Sequence, residues 1–502
     1  MTFAHHLTGC IAALLLTLAP SLHAANLRAG VAKMQITDRA AGPVNDPLYA
    51  KALVLKDDAT TVVLITIDAV AIGEIGRIGN GFMATVRAQL QQELDLPPGN
   101  LLVNASHCHG VVRADTPALA VQAVKQAWQR LAPVKVGAGT AHEDRISENR
   151  RLRMKDGSEV DMRRAYALPR DEDVAGVGAI DPQVGLLRVD LEDGRPLAAL
   201  YNFACHPIMG VPSGGNTADY PAFASKVIEE GLGEGALAFF IQGCGGDINP
   251  VRYKEVSQPN NAEPLGHLLG LTALEGLNKI EAHAAGDLKI INQTIALPRG
   301  VDLEQRMSKI QTEQARLMSA LKPTNINFKT FVPLLIQQRL APEQPSAYGQ
   351  AYLHEKALGR DGLVKLDAVN RASVEAYLNN IEIMEQLTRL NTNLALLKKH
   401  HAQNVEAGKP TLDVEVAGFR IGDFRMVTFP GELTVQIGLN LKQKAPHPLS
   451  FVAGYTNGYI YYAPTAGQRG NTGYAQEDCD SLVAPGWQAI FEAKALEILG
   501  GL

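Results

Sequence analysis

Of the 502 residues only five are cysteine and two tryptophan. So few cysteines cannot staple a chain of this length, which excludes a disulfide-built scaffold. Basic residues are not in excess, 47 Lys and Arg facing 52 Asp and Glu for a net charge of −5. With no Lys/Arg block either, neither nucleic acid nor a polybasic membrane contact is expected. No apolar run is long enough to span a bilayer, and neither an internal repeat nor a low-complexity segment is visible. What is there, 46% apolar and 20% charged residues with 46 Gly and 27 Pro, is the composition of an ordinary globular protein. It excludes disordered, collagen-like and coiled-coil chains and leaves length for two to four domains.

The first 25 residues stand apart, with no Lys, Arg, Asp or Glu and a stretch from residue 11 to 19 that is apolar but for Thr17. This reads as the h-region of a secretory leader. Leu22-His23-Ala24 offers cleavage at Ala24 or Ala25, so the mature chain is expected to begin near Asn26 and to be periplasmic or secreted. A lipoprotein reading of Leu7-Thr8-Gly9-Cys10 places the apolar run on the wrong side of the cysteine. After cleavage Cys108, Cys205, Cys244 and Cys479 remain. Three pairings are open to them, and small buried packing residues are the preferred reading.

Apolar runs at 52–55, 62–67, 101–103, 184–189, 197–203 and 236–241 predict strands, and 82–94, 116–131 and 222–231 predict helices between them. Such alternation implies an α/β chain, a layered mixed β-sheet catalytic domain. From 301 to 401 the period lengthens to one face of long helices, through Leu303, Met307, Ile310 and Leu317 and again Val374, Leu378, Ile381, Leu387 and Leu394. Strand signals return at 412–416, 424–429 and 450–452. The expected division is a leader at 1–25, an N-terminal part of the catalytic domain at 26–300, a helical insertion or cap at 301–410, and a C-terminal part at 411–502.

Three of the predicted strands run into ligand-type residues. The first ends in Asn104-Ala105-Ser106-His107-Cys108-His109-Gly110, where strand periodicity points both imidazoles to one side. The second ends in Ala204-Cys205-His206-Pro207. The third runs into Gln242-Gly243-Cys244-Gly245-Gly246-Asp247-Ile248-Asn249-Pro250, which lacks the Lys-Ser/Thr ending of a nucleotide loop. Only ten histidines lie beyond residue 25, so two strands ending in them favour a metal site over chance. Two histidines from one strand end and one from another, with a further oxygen ligand and a water, suit Zn2+ and water activation. The oxygen ligand is open among Asp219, Asp247 and Glu432, the last attractive because it too follows a strand.

These stretches resemble the N-terminal motifs of the neutral, non-lysosomal ceramidases, zinc amidases that cut the N-acyl bond of ceramide. Pro430-Gly431-Glu432-Leu433-Thr434 and Asn457-Gly458-Tyr459-Ile460-Tyr461-Tyr462, with Tyr474 and Pro485-Gly486-Trp487, resemble the C-terminal ones. The resemblance implies zinc held by His107, His206, Glu432 and Tyr462, with His109 facing substrate. It further implies Arg150, in Glu148-Asn149-Arg150, and Tyr474 as partners of substrate or oxyanion. Two departures qualify it. Asn249 stands where the family has a catalytic serine, and no room follows the tyrosine motif for the family's immunoglobulin-like domain. Asn249 and Asp247 are therefore expected to bind substrate, a small or lipid-like molecule more polar than ceramide. Rival readings are a zinc hydrolase of an ester or glycosidic bond, and a non-catalytic binding protein of the same fold. A TIM-barrel amidohydrolase, which also begins with His-x-His, would need His206 and His267 as a later pair and leaves Glu432 and the tyrosines unexplained.

Overall fold

The computed structural model describes residues 27–161, 169–284, 288–345, 349–473 and 475–502; the expected leader lies outside the described residues. Eight strands form one mixed sheet: β1 (Arg28–Gln35), β2 (Tyr49–Lys56), β3 (Thr61–Ile67), β4 (Leu101–Ala105), β5 (Ala132–His142), β6 (Gln183–Leu191), β7 (Pro196–Phe203) and β8 (Leu237–Gln242). Their order is β8-β7-β6-β5-β1-β2-β3-β4. The two halves repeat one topology. In each, three antiparallel strands are followed by a helical crossover and a fourth strand parallel to the third. The crossovers are α1 (Phe82–Leu94) and α3 (Tyr220–Leu232), and a second helix follows each fourth strand, α2 (Thr116–Gln129) and α4 (Glu263–Asn278). β1 and β5 join the halves antiparallel. This duplication is absent from the sequence pattern because topology constrains only where apolar residues fall, not which they are. A sheet with antiparallel pairs at its centre also excludes the TIM-barrel reading.

The runs read as buried strands are apolar throughout because both sheet faces are covered. On one face α1 and α2 pack against Ala52, Val54, Val63, Ile65 and Val103, and α3 and α4 against Leu186, Ala199, Tyr201 and Phe240. The other face carries Leu53, Leu64, Leu187, Leu200 and Phe239, packed on Phe419, Phe424, Met426 and Phe451 of a second sheet. That sheet comprises Lys289–Pro298, Thr411–Ile421, Phe424–Thr428 and Ser450–Ala453, and its outer face is covered by the helices Val435–Lys444 and Trp487–Gly501. The layers therefore run helix, sheet, sheet, helix.

Lys289–Pro298 and Thr411–Ile421 pair antiparallel from Lys289 opposite Arg420 to Pro298 opposite Thr411. Between these partners the chain makes a helical excursion, α5 (Leu303–Ala320), α6 (Phe328–Leu340), α7 (Gly349–Ala357) and α8 (Gly362–Ala407). The 46-residue α8 ends at Gly408, whose φ of +58° supplies the left-handed cap that glycine adopts without penalty. It packs on α5 through Leu317, Ile383 and Leu390. None of the helices among the described residues is long and apolar enough to cross a membrane. Cys108, Cys205, Cys244 and Cys479 are all buried and unpaired, as packing residues would be.

The two sheets meet closely at Gly185 of β6, where an added Cβ would lie 2.4 Å from Phe451 Cδ1. Phe451 is fully buried, so the clash cannot relax into solvent. Gly185→Ala should therefore cost about 1–3 kcal/mol in a denaturant titration. Combining it with Phe451→Leu should give less than the sum of the single losses, because the residues touch. Strict additivity would show that the sheets are not packed in this register.

Candidate metal centre

The sheet's two edge strands come together at their C-terminal ends, where Gln242 N donates to Asn104 Oδ1 at 3.0 Å. The site lies at this corner. His107 follows β4 in a turn tied back to β3's exit by Ser106 N to Ile67 O and His107 N to Ala69 O, both 2.9 Å. The turn holds His107 at φ +69°, a left-handed conformation uncommon for a side chain of this size. His206 follows β7, with its backbone N–H on Ile248 O at 2.9 Å. Each imidazole spends Nδ1 on a backbone carbonyl, His107 on Val70 at 2.5 Å and His206 on Ile248 at 3.0 Å. A carbonyl can only accept, so Nδ1 carries the proton and Nε2 presents its lone pair.

Both Nε2 atoms face Glu432, at 3.5 Å from His107 and 3.0 Å from His206, and the three residues are at most 2% exposed. Glu432 sits in the two-residue strand Glu432–Leu433, paired in parallel with Tyr462–Ala463. Its Oε2 accepts from Tyr455 Oη at 3.1 Å and its Oε1 from Tyr459 Oη. Burial holds the His107 pKa down to about 4 despite the neighbouring carboxylate, so this imidazole is neutral near pH 7. Burial acts to raise the Glu432 pKa, but the two imidazoles and Tyr459 outweigh it and hold the carboxyl well below the usual range. Three acceptor atoms within 4.8 Å of one another, with no proton to share among them, fit a cation. Two nitrogens and a carboxylate oxygen are a zinc-type donor set. Of the carboxylates left open by the sequence, Glu432 is the one that joins the histidines. Asp219 accepts from Gly210 N and Tyr220 N, with its pKa raised to about 6 by burial.

A cavity of about 680 Å³ opens over the cluster, lined among others by His109, Arg150, Tyr459, Tyr461, Tyr462 and Lys399. His109 is exposed on its wall, with its ring 5.7 Å from that of His107. Tyr462, opposite Glu432 in the parallel pair, stacks its ring at 6.5 Å from His206 and accepts from Arg150 Nη2 at 3.2 Å. Arg150 is 1% exposed and reaches four acceptors: Glu477 Oε1 at 2.6 Å, Asn249 Oδ1 at 3.2 Å, Gly246 O and Tyr462 Oη. Four of its five N–H groups are thereby engaged among the described residues.

Two residues expected to bind substrate sit elsewhere. Asn249 is buried, spends its side-chain oxygen on Arg150 and does not line the cavity. Asp247 also lies off the cavity; its Oδ1 accepts the Val435 N–H at 2.7 Å, the first of the helix Val435–Lys444, and its Oδ2 accepts from Asn149 Nδ2 at 3.4 Å. The Asp247 carboxylate and the Asn249 side-chain oxygen are thus engaged by protein. Tyr474 lies outside the described residues. Sequence reasoning gave no role to Tyr455 and Tyr459, the hydroxyl donors to Glu432, or to Glu477, the counter-charge of Arg150. A tyrosine-rich stretch looks the same whether it packs or donates, and Glu477 lies 327 residues from its partner.

No family model matches the chain, and no curated protein matches its sequence. Solved structures do match its fold. One is the neutral ceramidase from Pseudomonas aeruginosa, 16% identical with a TM-score of 0.58, aligned over 95% of this chain and 74% of that one. Another is a ceramidase complexed with C2, 16% identical with a TM-score of 0.59, over 95% and 75%. The chain thus has a neutral-ceramidase-like α/β fold.

The Arg150–Glu477 pair is buried on both sides, whereas Arg170 and Glu382 pair in solvent with side chains 55% and 36% exposed. Glu477→Gln should cost about 3–5 kcal/mol by leaving a buried guanidinium without its counter-charge. Glu382→Gln should cost under about 1 kcal/mol. Denaturant midpoints at fixed slope measure both, and equal losses would contradict the burial assigned to Arg150.

Proposed function

We propose that this protein is an exported zinc-dependent hydrolase of the ceramidase type, cutting an N-acyl bond. The observation that carries the reading is the convergence of His107 Nε2, His206 Nε2 and Glu432 Oε2, three acceptors that only a cation reconciles. The fold likeness and the five matching motifs support the amide bond, and the uncharged leader supports export. Zinc suits two imidazoles and a carboxylate better than magnesium or calcium, which prefer all-oxygen sites. Tyr462, beside the cluster, is the proposed fourth ligand.

When bound, zinc supplies Lewis acidity, polarising an acyl carbonyl and acidifying water. The protein's residues do the rest. Val70 O and Ile248 O fix both imidazoles with Nε2 inward. Tyr455 and Tyr459 orient the carboxylate, and removing such supporting groups weakens metal affinity about 10–100-fold. Arg150, fixed by Glu477, directs its remaining N–H and its charge at developing negative charge on the carbonyl oxygen. His109, exposed on the wall beside His107, is the group placed to pass a proton to the departing amine. No hydroxyl stands at position 249 to take part, and Asn249 instead braces Arg150. Efficient hydrolysis of ceramide is accordingly not expected.

His206→Ala should lose metal and turnover together, since the cluster has few ligands to spare. His109→Ala should retain the ion and lose turnover by about 10²–10⁴, the usual contribution of a general acid–base group. Elemental analysis and assays on N-acyl lipids, amides, esters and glycosides test both. Full activity after exhaustive chelation would overturn the reading, and selective hydrolysis of esters or glycosides would transfer it to that bond.

A further inference from the structure

The helical excursion contributes one residue, Lys399, to the cavity lining, and none of the motifs that resemble ceramidases lies in those helices. The last turns of α8 are fastened to the cavity mouth by a half-buried network. His400, fully buried, places Nε2 2.7 Å from Asp480 Oδ1 and Nδ1 2.9 Å from Gln403 Oε1. Gln403 Nε2 donates to Tyr461 Oη at 3.1 Å and Glu74 Oε2 at 3.4 Å, and Tyr461 Oη donates to Glu74 Oε2 at 2.9 Å. The ring of His400 packs edge-on against Tyr461 at 4.7 Å. This fixes the helix register, and with it the residue before His400. Lys399 Nζ lies 3.8 Å from the centroid of the Tyr461 ring, and both residues line the cavity.

The ring steers the ammonium but gives it no counter-charge. The nearby carboxylates are committed: Asp480 to His400, Glu74 to Tyr461, Gln403 and Asn80, Asp219 to backbone N–H groups, and Glu432 to the metal cluster. Among the described residues no ion pair engages Lys399. Arg150, the other permanent cation on the wall, has four of its five N–H groups filled by protein. Lys399 is thus an ammonium held over an aromatic face at the cavity wall, outside the ion pairs of the described residues.

We propose that Lys399 over Tyr461 forms an anion-binding subsite, and that the substrate carries a negatively charged group, a carboxylate or a phosphate, on the half that is not the acyl chain. This rests on the hydrolytic reading above and names its substrate class. The ammonium donates to the anion, while the network behind Tyr461 and His400 keeps it from swinging away.

The test is a matched set with one acyl chain: N-acyl glycine against N-acyl glycinamide for carboxylate, and N-acyl phosphoethanolamine against N-acyl ethanolamine for phosphate. The wild-type protein should favour at least one anionic member over its neutral partner by about five- to ten-fold in kcat/KM at low salt, mostly through KM, as expected for a solvent-accessible charged hydrogen bond. The favoured pair identifies the anion. Lys399→Met should bring that ratio near one and Lys399→Glu should invert it. A ratio unchanged in both variants, or no anionic preference in the wild type, overturns the subsite. If none of the four is hydrolysed, the hydrolytic reading fails on these substrates, and the subsite is decided separately by calorimetric binding of N-acyl glycine and N-acyl glycinamide to wild type and Lys399→Met. Equal binding of the two to the wild type overturns it.

Discussion

A carboxylate and two imidazole lone pairs buried at one point repel unless a cation joins them, and much of the molecule is arranged to keep them there. The residues come from segments far apart in sequence: the exit of β4, the exit of β7, and the short strand at Glu432. Each is fixed by backbone carbonyls of a neighbouring segment, Ala69 and Val70 for His107, Ile248 for His206 and Tyr461 for Glu432. Gly246 shows how tight the arrangement is, since a Cβ there would lie 2.8 Å from the carbonyl oxygens of both Glu432 and Leu433. The glycine of the third motif is thus needed for approach to the Glu432 strand and not for cradling a phosphate. Asp247 next to it caps the helix that follows Glu432, so the same loop sets both the distance and the direction of that ligand.

The duplicated topology explains how strands of opposite direction meet at one site. Related halves of a flat sheet would send the ends of β4 and β8 to opposite edges. Twist accumulates across eight strands, and the curled sheet brings those ends together, with Asn104 bonded to Gln242 at the corner. The histidines do not obey the repeat: one follows the fourth strand of its half, the other the third. Each is braced by the loop after the neighbouring parallel strand, Val70 after β3 and Ile248 after β8. The fold supplies two similar corners, and the site uses unlike positions from each.

What was legible in the sequence follows from what local pattern can carry. Strands such as 62–67 and 197–203 announced themselves because burial on both faces leaves continuous apolar runs. β1 and the long β5 were missed because they are interrupted by Lys33 in one and by glycines, Thr140 and Lys135 in the other, at positions where one face is open. His107 and His206 were readable from their places at strand ends, and Glu432 as one of three carboxylates. The choice among those three was a matter of tertiary distance. Asn249 and Asp247 show what local pattern leaves out: a buried glycine-rich loop must satisfy its own polar groups, and each spends side-chain oxygen on a distant protein partner.

The helical excursion makes the same point about where specificity can be added. Pro298 and Thr411 are already partners in a sheet, so any chain leaving one and returning to the other starts and ends within hydrogen-bonding distance. The entropy of closing such a loop grows only with the logarithm of its length, by about 0.6 kcal/mol per doubling, so a long excursion is barely costlier than a short one. The core beneath does not have to change to accept it. What must be precise is the contact beside the cavity, and here that is His400 against Asp480 and Tyr461, one residue from Lys399. Polar side chains lock the register of that contact where apolar ones would tolerate a slide, and a helix displaced by even one residue would carry Lys399 off the Tyr461 ring and around the helix, away from the cavity.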